Sequence, residues 1–158
     1  MLHAFRGFEP IFMKIFKEQL CQLIPHTDAM CLLHEVTAWD AERITCLAIN
    51  HNDPANPLRH NGQLPAHCAI EYAAQAMAVH GGLAAQDKAS PRVGFIGSVR
   101  DVKLFAERLD DIAAPLEIEA IKQLADENHS LYELRVCAAG RELMTGRAAV
   151  FLQQGDSA

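Results

Sequence analysis

The chain has 158 residues, 50% of them hydrophobic, enough to bury one substantial core and too few for two, which excludes a two-domain nucleotide-binding enzyme. Fourteen lysines and arginines against 20 aspartates and glutamates leave a net charge of −6. That balance argues against a general binder of nucleic acid or anionic membrane, where a basic surface is expected.

Residues 1–20 read as an N-terminal leader of uncertain order, and 21–154 as one domain. Arg6, Glu9, Pro10 and Lys14 interrupt the leader's apolar residues, leaving neither a signal-peptide core nor a bilayer span. Met13 is a second candidate start. The cysteines, Cys21, Cys31, Cys46, Cys68 and Cys137, are odd in number and widely spaced. No Cys-x-x-Cys pair occurs, so the pattern predicts neither a disulfide framework nor a thiolate zinc site and fits a reducing cytoplasm.

In chain order, the first clear alternation is Ile44, Cys46 and Ala48, a half-buried strand. The loop Asn52-Asp-Pro-Ala-Asn-Pro57 follows. From about Ala66 to Ala84 the period changes to that of a helix, with Ile70, Ala73, Ala74, Met77 and Ala78 on one face. Pro65 suits its start, and Gly81-Gly82 predicts that it weakens or ends there. Its alanine-lined face lets a sheet approach the helix axis closely. Val93 to Leu104 reads as a strand bent or bulged near Gly97 and Ser98. Three further strands follow, marked by Leu116/Ile118/Ala120, Tyr132/Leu134/Val136 and Met144 to Leu152, with turns at Ala114-Pro115 and Ala139-Gly140. One central helix among antiparallel strands is an α+β architecture, a sheet curled around a helix.

Chemistry-bearing side chains are densest between the loop and the helix. Glu71 lies among apolar neighbours, with no other acid before Asp87. A carboxyl in apolar surroundings keeps its proton more readily and can donate it near neutral pH; the alternative for a lone helical glutamate is a carboxylate that faces solvent or caps a neighbouring loop. Gln75, four residues on, shares its face and is placed to hold the Glu71 carboxyl. His60 is a candidate general base, with solvent-exposed loop histidine as the equal alternative; His67 is a second candidate or a packing residue. The N–H groups of Ala66 and His67, at a helix start, suit a carbonyl oxygen that gains negative charge. The histidines form no His-x-x-x-His or His-x-His pair, so no metal site is expected. Asp110-Asp111 reads as a loop cap, Ser98 lacks a nucleophile elbow, and Arg59, Arg92, Arg100, Lys103 and Arg108 read as scattered surface charge unless the fold gathers them.

Taken together, Leu23-Ile-Pro-His26, the Pro/Asn loop and Pro65-Ala-His-Cys-Ala-Ile-Glu71-Tyr-Ala-Ala-Gln75 resemble the hotdog-fold 3-hydroxyacyl-[acyl-carrier-protein] dehydratases. Gly94-Phe-Ile-Gly-Ser-Val-Arg100-Asp-Val-Lys-Leu and Arg108-Leu-Asp-Asp111 are similar to the branch found in aryl-polyene and related polyketide clusters. The resemblance spans about Gln22 to Leu152. It implies a hotdog dimer, homodimeric or paired with a related hotdog subunit, acting on a substrate carried by the phosphopantetheine of an acyl carrier protein, with no metal or redox cofactor. It also implies a loop histidine and a helical acid acting together, and Glu71 matches that acid. The histidine departs from the pattern: His60 lies 11 positions before Glu71, about three fewer than in the family, and the His-Phe-Pro-Gly run is absent. An ungapped alignment puts Pro57 where the base belongs. The resemblance therefore implies a dehydratase using His60 and Glu71, with a hotdog thioesterase or a weakly active subunit paired with a competent dehydratase as alternatives.

Overall fold

The computed structural model describes residues 14–24, 30–85 and 94–152. Seven strands form one antiparallel sheet: β1 (Ile15–Phe16), β2 (Glu35–Trp39), β3 (Arg43–Ala48), β4 (Gly94–Leu104), β5 (Leu116–Ala125), β6 (His129–Ala138) and β7 (Arg141–Leu152). Their order is β1-β2-β3-β5-β6-β7-β4. Helix α1 (Lys17–Leu20) is a single turn, and α2 (Ala69–Ala85) is the long helix, entered through a 3-10 turn at Ala66–Cys68.

The sheet takes its shape from alternation. In β6, Ser130, Tyr132, Leu134, Val136 and Ala138 are buried while the residues between them face outward. Register lines Cys46, Ile118, Val136 and Met144 up across four strands, and these buried side chains meet Ala69, Ala73, Ala76 and Met77 of α2 in one core. The helix contacts β3, β4, β5, β6 and β7, so the α+β expectation of one helix against a single antiparallel sheet holds. The kink at Gly97 is also present, as a register shift between Ile96 and Ser98. A side chain at 97 would collide with the Phe151 ring, which is why glycine stands there.

Four features differ from the sequence reading. The chain joins the domain within the expected leader, where β1 pairs with β2 and Leu20 is fully buried. β2 escapes period-two detection because a bulge between Val36 and Ala38 breaks its alternation. The helix runs to Ala85, one residue past the expected Ala84, so the Gly81-Gly82 pair lies near its end without stopping it. Gly82 is there for space, since a Cβ would lie 3.0 Å from Leu23 O and 3.2 Å from Leu23 Cβ. Cys21 and Cys31 are joined in a disulfide, contrary to the expectation of free thiols throughout; ten residues separate them in sequence, and only the tertiary fold brings them together. Among the described residues no helix is long and apolar enough to cross a membrane.

Candidate active site

Helix α2 starts on a short paired strip of chain. Leu109 N–H donates to Leu64 O at 2.8 Å and Ala66 N–H donates to Glu107 O at 3.1 Å, with Pro65 and Arg108 bridged between them. Pro65, at φ −61° and ψ 151°, turns the chain from this strip into the helix. The Ala66 donor is thus spent on the protein's own backbone, which corrects its expected place in an oxyanion site. Cys68 N–H is also used, bonding to Pro65 O at 3.0 Å. Among the described residues the His67 N–H bonds to no backbone oxygen outside its own turn, so of the predicted pair it is the donor not claimed by the Glu107–Leu109 strip. The His67 side chain is exposed.

Glu71 follows one turn later and is half-buried. It shares its partly open helix face with His67, Cys68, Ile70, Ala74 and Ala78, and the Cys68 thiol is pushed up first by burial and then by the neighbouring Glu71 carboxylate. Gln75 is fully buried, but its amide serves the chain at 30–32: Nε2 donates to Met30 O at 2.6 Å and Oε1 accepts from Leu32 N–H at 2.8 Å. It anchors the segment beside the Cys21–Cys31 bond to the helix, in place of the expected hold on Glu71.

The loop before the helix is tied to Tyr72, a link the sequence reading missed. The buried Tyr72 hydroxyl donates to Asn50 Oδ1 at 2.7 Å and accepts from Asn56 Nδ2 at 3.0 Å. Asn56 Nδ2 also donates to Asn50 O at 2.9 Å, and its Oδ1 accepts the Leu58 N–H at 2.9 Å. Burial pushes the Tyr72 phenol up to about 12, so the hydroxyl stays a donor. The available signal was Asn56, an amide placed between loop residues where an Asx turn is favoured.

His60 lies on a tight hairpin before the helix. Its backbone and that of Gln63 exchange hydrogen bonds of 2.8 and 3.0 Å, with Asn61 at φ 52° and Gly62 at φ 75° supplying the left-handed turn. The imidazole is exposed and has no hydrogen-bond partner among the described residues. Arg59 bonds back to Gly62 O at 2.9 Å, and Arg108 pairs with Asp110. Arg100 and Lys103 lie on the edge strand β4. Arg92 and His26 lie outside the described residues.

Two cavities, of about 340 and 740 Å³, open on the sheet's outer face among Glu119, Arg135 and their neighbours; neither is lined by His60, His67 or Glu71. Among the described residues no group of three or more His, Cys, Asp or Glu side chains is placed to hold a metal ion.

No curated protein sequence matches the chain. Among solved structures, the dehydratase heterocomplex ApeI:P from Xenorhabdus doucetiae aligns with a TM-score of 0.76 at 25% identity, covering 85% of this chain and 91% of that one. AziG from S. sahachiroi aligns at 0.58 and 17%, covering 84% and 99%. A thioesterase from Haemophilus influenzae aligns at 0.64 and 12%, covering 90% and 94%. These last two likenesses concern the fold alone, which is the hotdog fold. A family model for ApeP-like proteins, described as ApeP dehydratase, matches residues 18–158. The chain belongs to the ApeP-like dehydratase family.

Proposed function

We propose that the protein eliminates water from a 3-hydroxyacyl thioester, carried on the phosphopantetheine arm of an acyl carrier protein, to give the trans-2-enoyl thioester in aryl-polyene or related fatty-acid or polyketide synthesis. The observation that carries this reading is the pairing of a half-buried Glu71 with a helix start one turn away whose His67 N–H is not claimed by the Glu107–Leu109 strip, in a chain of a dehydratase family. The His67 N–H donates a hydrogen bond to the thioester oxygen as negative charge builds there, while a base takes the C2 proton. Glu71 then protonates the C3 hydroxyl, which leaves as water, and the C2–C3 double bond forms. His60 is the base we assign, its ring being exposed and uncommitted. Elimination beside a thioester carbonyl asks for acid, base and oxyanion support, so the reading calls on no metal or redox cofactor.

The site we describe is completed by a second hotdog subunit, either a copy of this chain or a related one. ApeI:P, whose fold this chain shares, is a heterocomplex, which supports a pocket closed by a partner subunit. We place the reaction in the cytoplasm on the ground of its carrier-bound substrate and not of the cysteines, since the Cys21–Cys31 bond is not what a reducing compartment favours.

The test offers the protein a 3-hydroxyacyl pantetheine thioester and the matching saturated one. Enoyl thioester formed from the first with no free thiol from either is the expected result. Thiol released from both substrates overturns the reading in favour of a thioesterase.

A further inference from the structure

We propose that Asp110 is a positioning residue for the oxyanion-binding end of α2, acting through Leu64 and held by Arg108. The proposal rests on the dehydratase reading above and deepens it. The strip Glu107–Leu109 satisfies Leu64 O and Ala66 N–H, but it leaves the N–H of the fully buried Leu64 without a backbone partner. Asp110 Oδ1 takes that N–H at 2.9 Å. An unpaired donor at this point would cost the full desolvation of an amide and loosen the three residues that lead to His67.

The Asp110 side chain is only 5% exposed, and a buried carboxylate beside a helix start would oppose an oxyanion forming there. Arg108 removes that conflict by spanning both oxygens: Nε donates to Oδ1 at 3.0 Å and Nη2 donates to Oδ2. Such a bidentate pair fixes the carboxylate in direction as well as charge. The Arg108 hydrogen bonds hold the Asp110 carboxyl well below the ordinary carboxylate range, so the acceptor stays ionised wherever the protein is folded and active. Arg108 also bridges Pro65 through its backbone, so one dipeptide step sets both the path of the chain and the charge balance beneath it. His67, the residue whose N–H the strip does not claim, lies three positions beyond Leu64.

Asp110→Ala, Asp110→Asn and Arg108→Ala are compared on the whole protein, together with its partner subunit if one is needed for turnover, using a 3-hydroxyacyl pantetheine thioester. Asp110→Ala is expected to lower kcat about tenfold to hundredfold with KM within about twofold, as misplacement of a transition-state donor does. Asp110→Asn, whose amide oxygen still accepts from Leu64, restores kcat to within about threefold. Arg108→Ala, which leaves the carboxylate unbalanced, lowers kcat at least as much as Asp110→Ala. Amide hydrogen exchange at Ala66 is a second readout: its protection falls about tenfold in Asp110→Ala and holds in Asp110→Asn. Unchanged kcat and unchanged Ala66 protection in Asp110→Ala overturn the proposal while the wild type remains a dehydratase. A wild type that eliminates no water overturns the dehydratase reading, and Ala66 exchange then shows separately whether Asp110 fixes the helix start.

Discussion

The Tyr72 hydroxyl donates to Asn50 Oδ1 at 2.7 Å, which joins the loop before α2 to the residue immediately after Glu71. Tyr72→Phe keeps the ring and removes the link, leaving the Asn50 side-chain oxygen without its donor. We expect a loss of about 1–2 kcal/mol of stability, read as a fall in Tm of a few degrees. A Tyr72→Phe protein as stable as wild type would show that loop and helix are held elsewhere.

The Cys21–Cys31 bond closes a loop over a ten-residue separation, next to the 30–32 segment that Gln75 holds. Loop-closure entropy for a ring of this size predicts about 2–3 kcal/mol. Thermal melts with and without a dithiol reductant check it: Tm falls on reduction in the wild type and does not change with reductant in Cys21→Ser.

Gly81 and Gly82 are adjacent in α2 but differ in surroundings. A Cβ at 81 meets nothing within 4 Å, whereas one at 82 meets the Leu23 backbone oxygen at 3.0 Å. Gly81→Ala is therefore expected to stabilise by about 0.5–1 kcal/mol through helix propensity. Gly82→Ala gains the same propensity and loses it to the contact with Leu23, so its denaturant midpoint lies below that of Gly81→Ala.

His80 is fully buried in the core. Its Nε2–H donates to Asp40 O at 2.8 Å, and Nδ1 accepts from the Tyr132 hydroxyl at 2.7 Å. Burial, with a smaller contribution from Lys122, lowers its pKa below the ordinary histidine value of 6.5. Because the folded state holds the proton less well than the unfolded one, stability is fully present above pH 6.5 and is lost as pH falls below it. Burial lowers His51 in the same sense. Denaturant midpoints at pH 7.5 and 5.5 are expected to drop toward the lower pH, and His80→Gln is expected to reduce the drop.

The parts of the fold that sequence made legible are those where one face is buried and the other wet. In β5, β6 and β7 the alternation of Leu116, Ile118, Tyr132, Leu134 and Met144 is the direct imprint of α2 lying on one side. Gly97 was legible as a kink because glycine inside a strand marks a bulge, a bend or a close approach, here that of the Phe151 ring. What stayed hidden depends on contacts distant in sequence. Gly82 reads as a helix stop until Leu23 is seen against it. The Cys21–Cys31 pair has no spacing signature. In the site, the Glu71 helix, its half-buried acid and the exposed His60 follow from local pattern. The fate of individual donors does not: Ala66 N–H is claimed by Glu107, and the Gln75 amide by Met30 and Leu32.

The most direct test of the account is Glu71→Gln, which keeps size and hydrogen bonding while removing the acid, assayed by single-turnover elimination from a 3-hydroxyacyl pantetheine thioester. The account predicts a folded protein whose elimination rate falls about 10²- to 10⁴-fold, as for loss of a positioned general acid. Elimination at the wild-type rate by Glu71→Gln would contradict it.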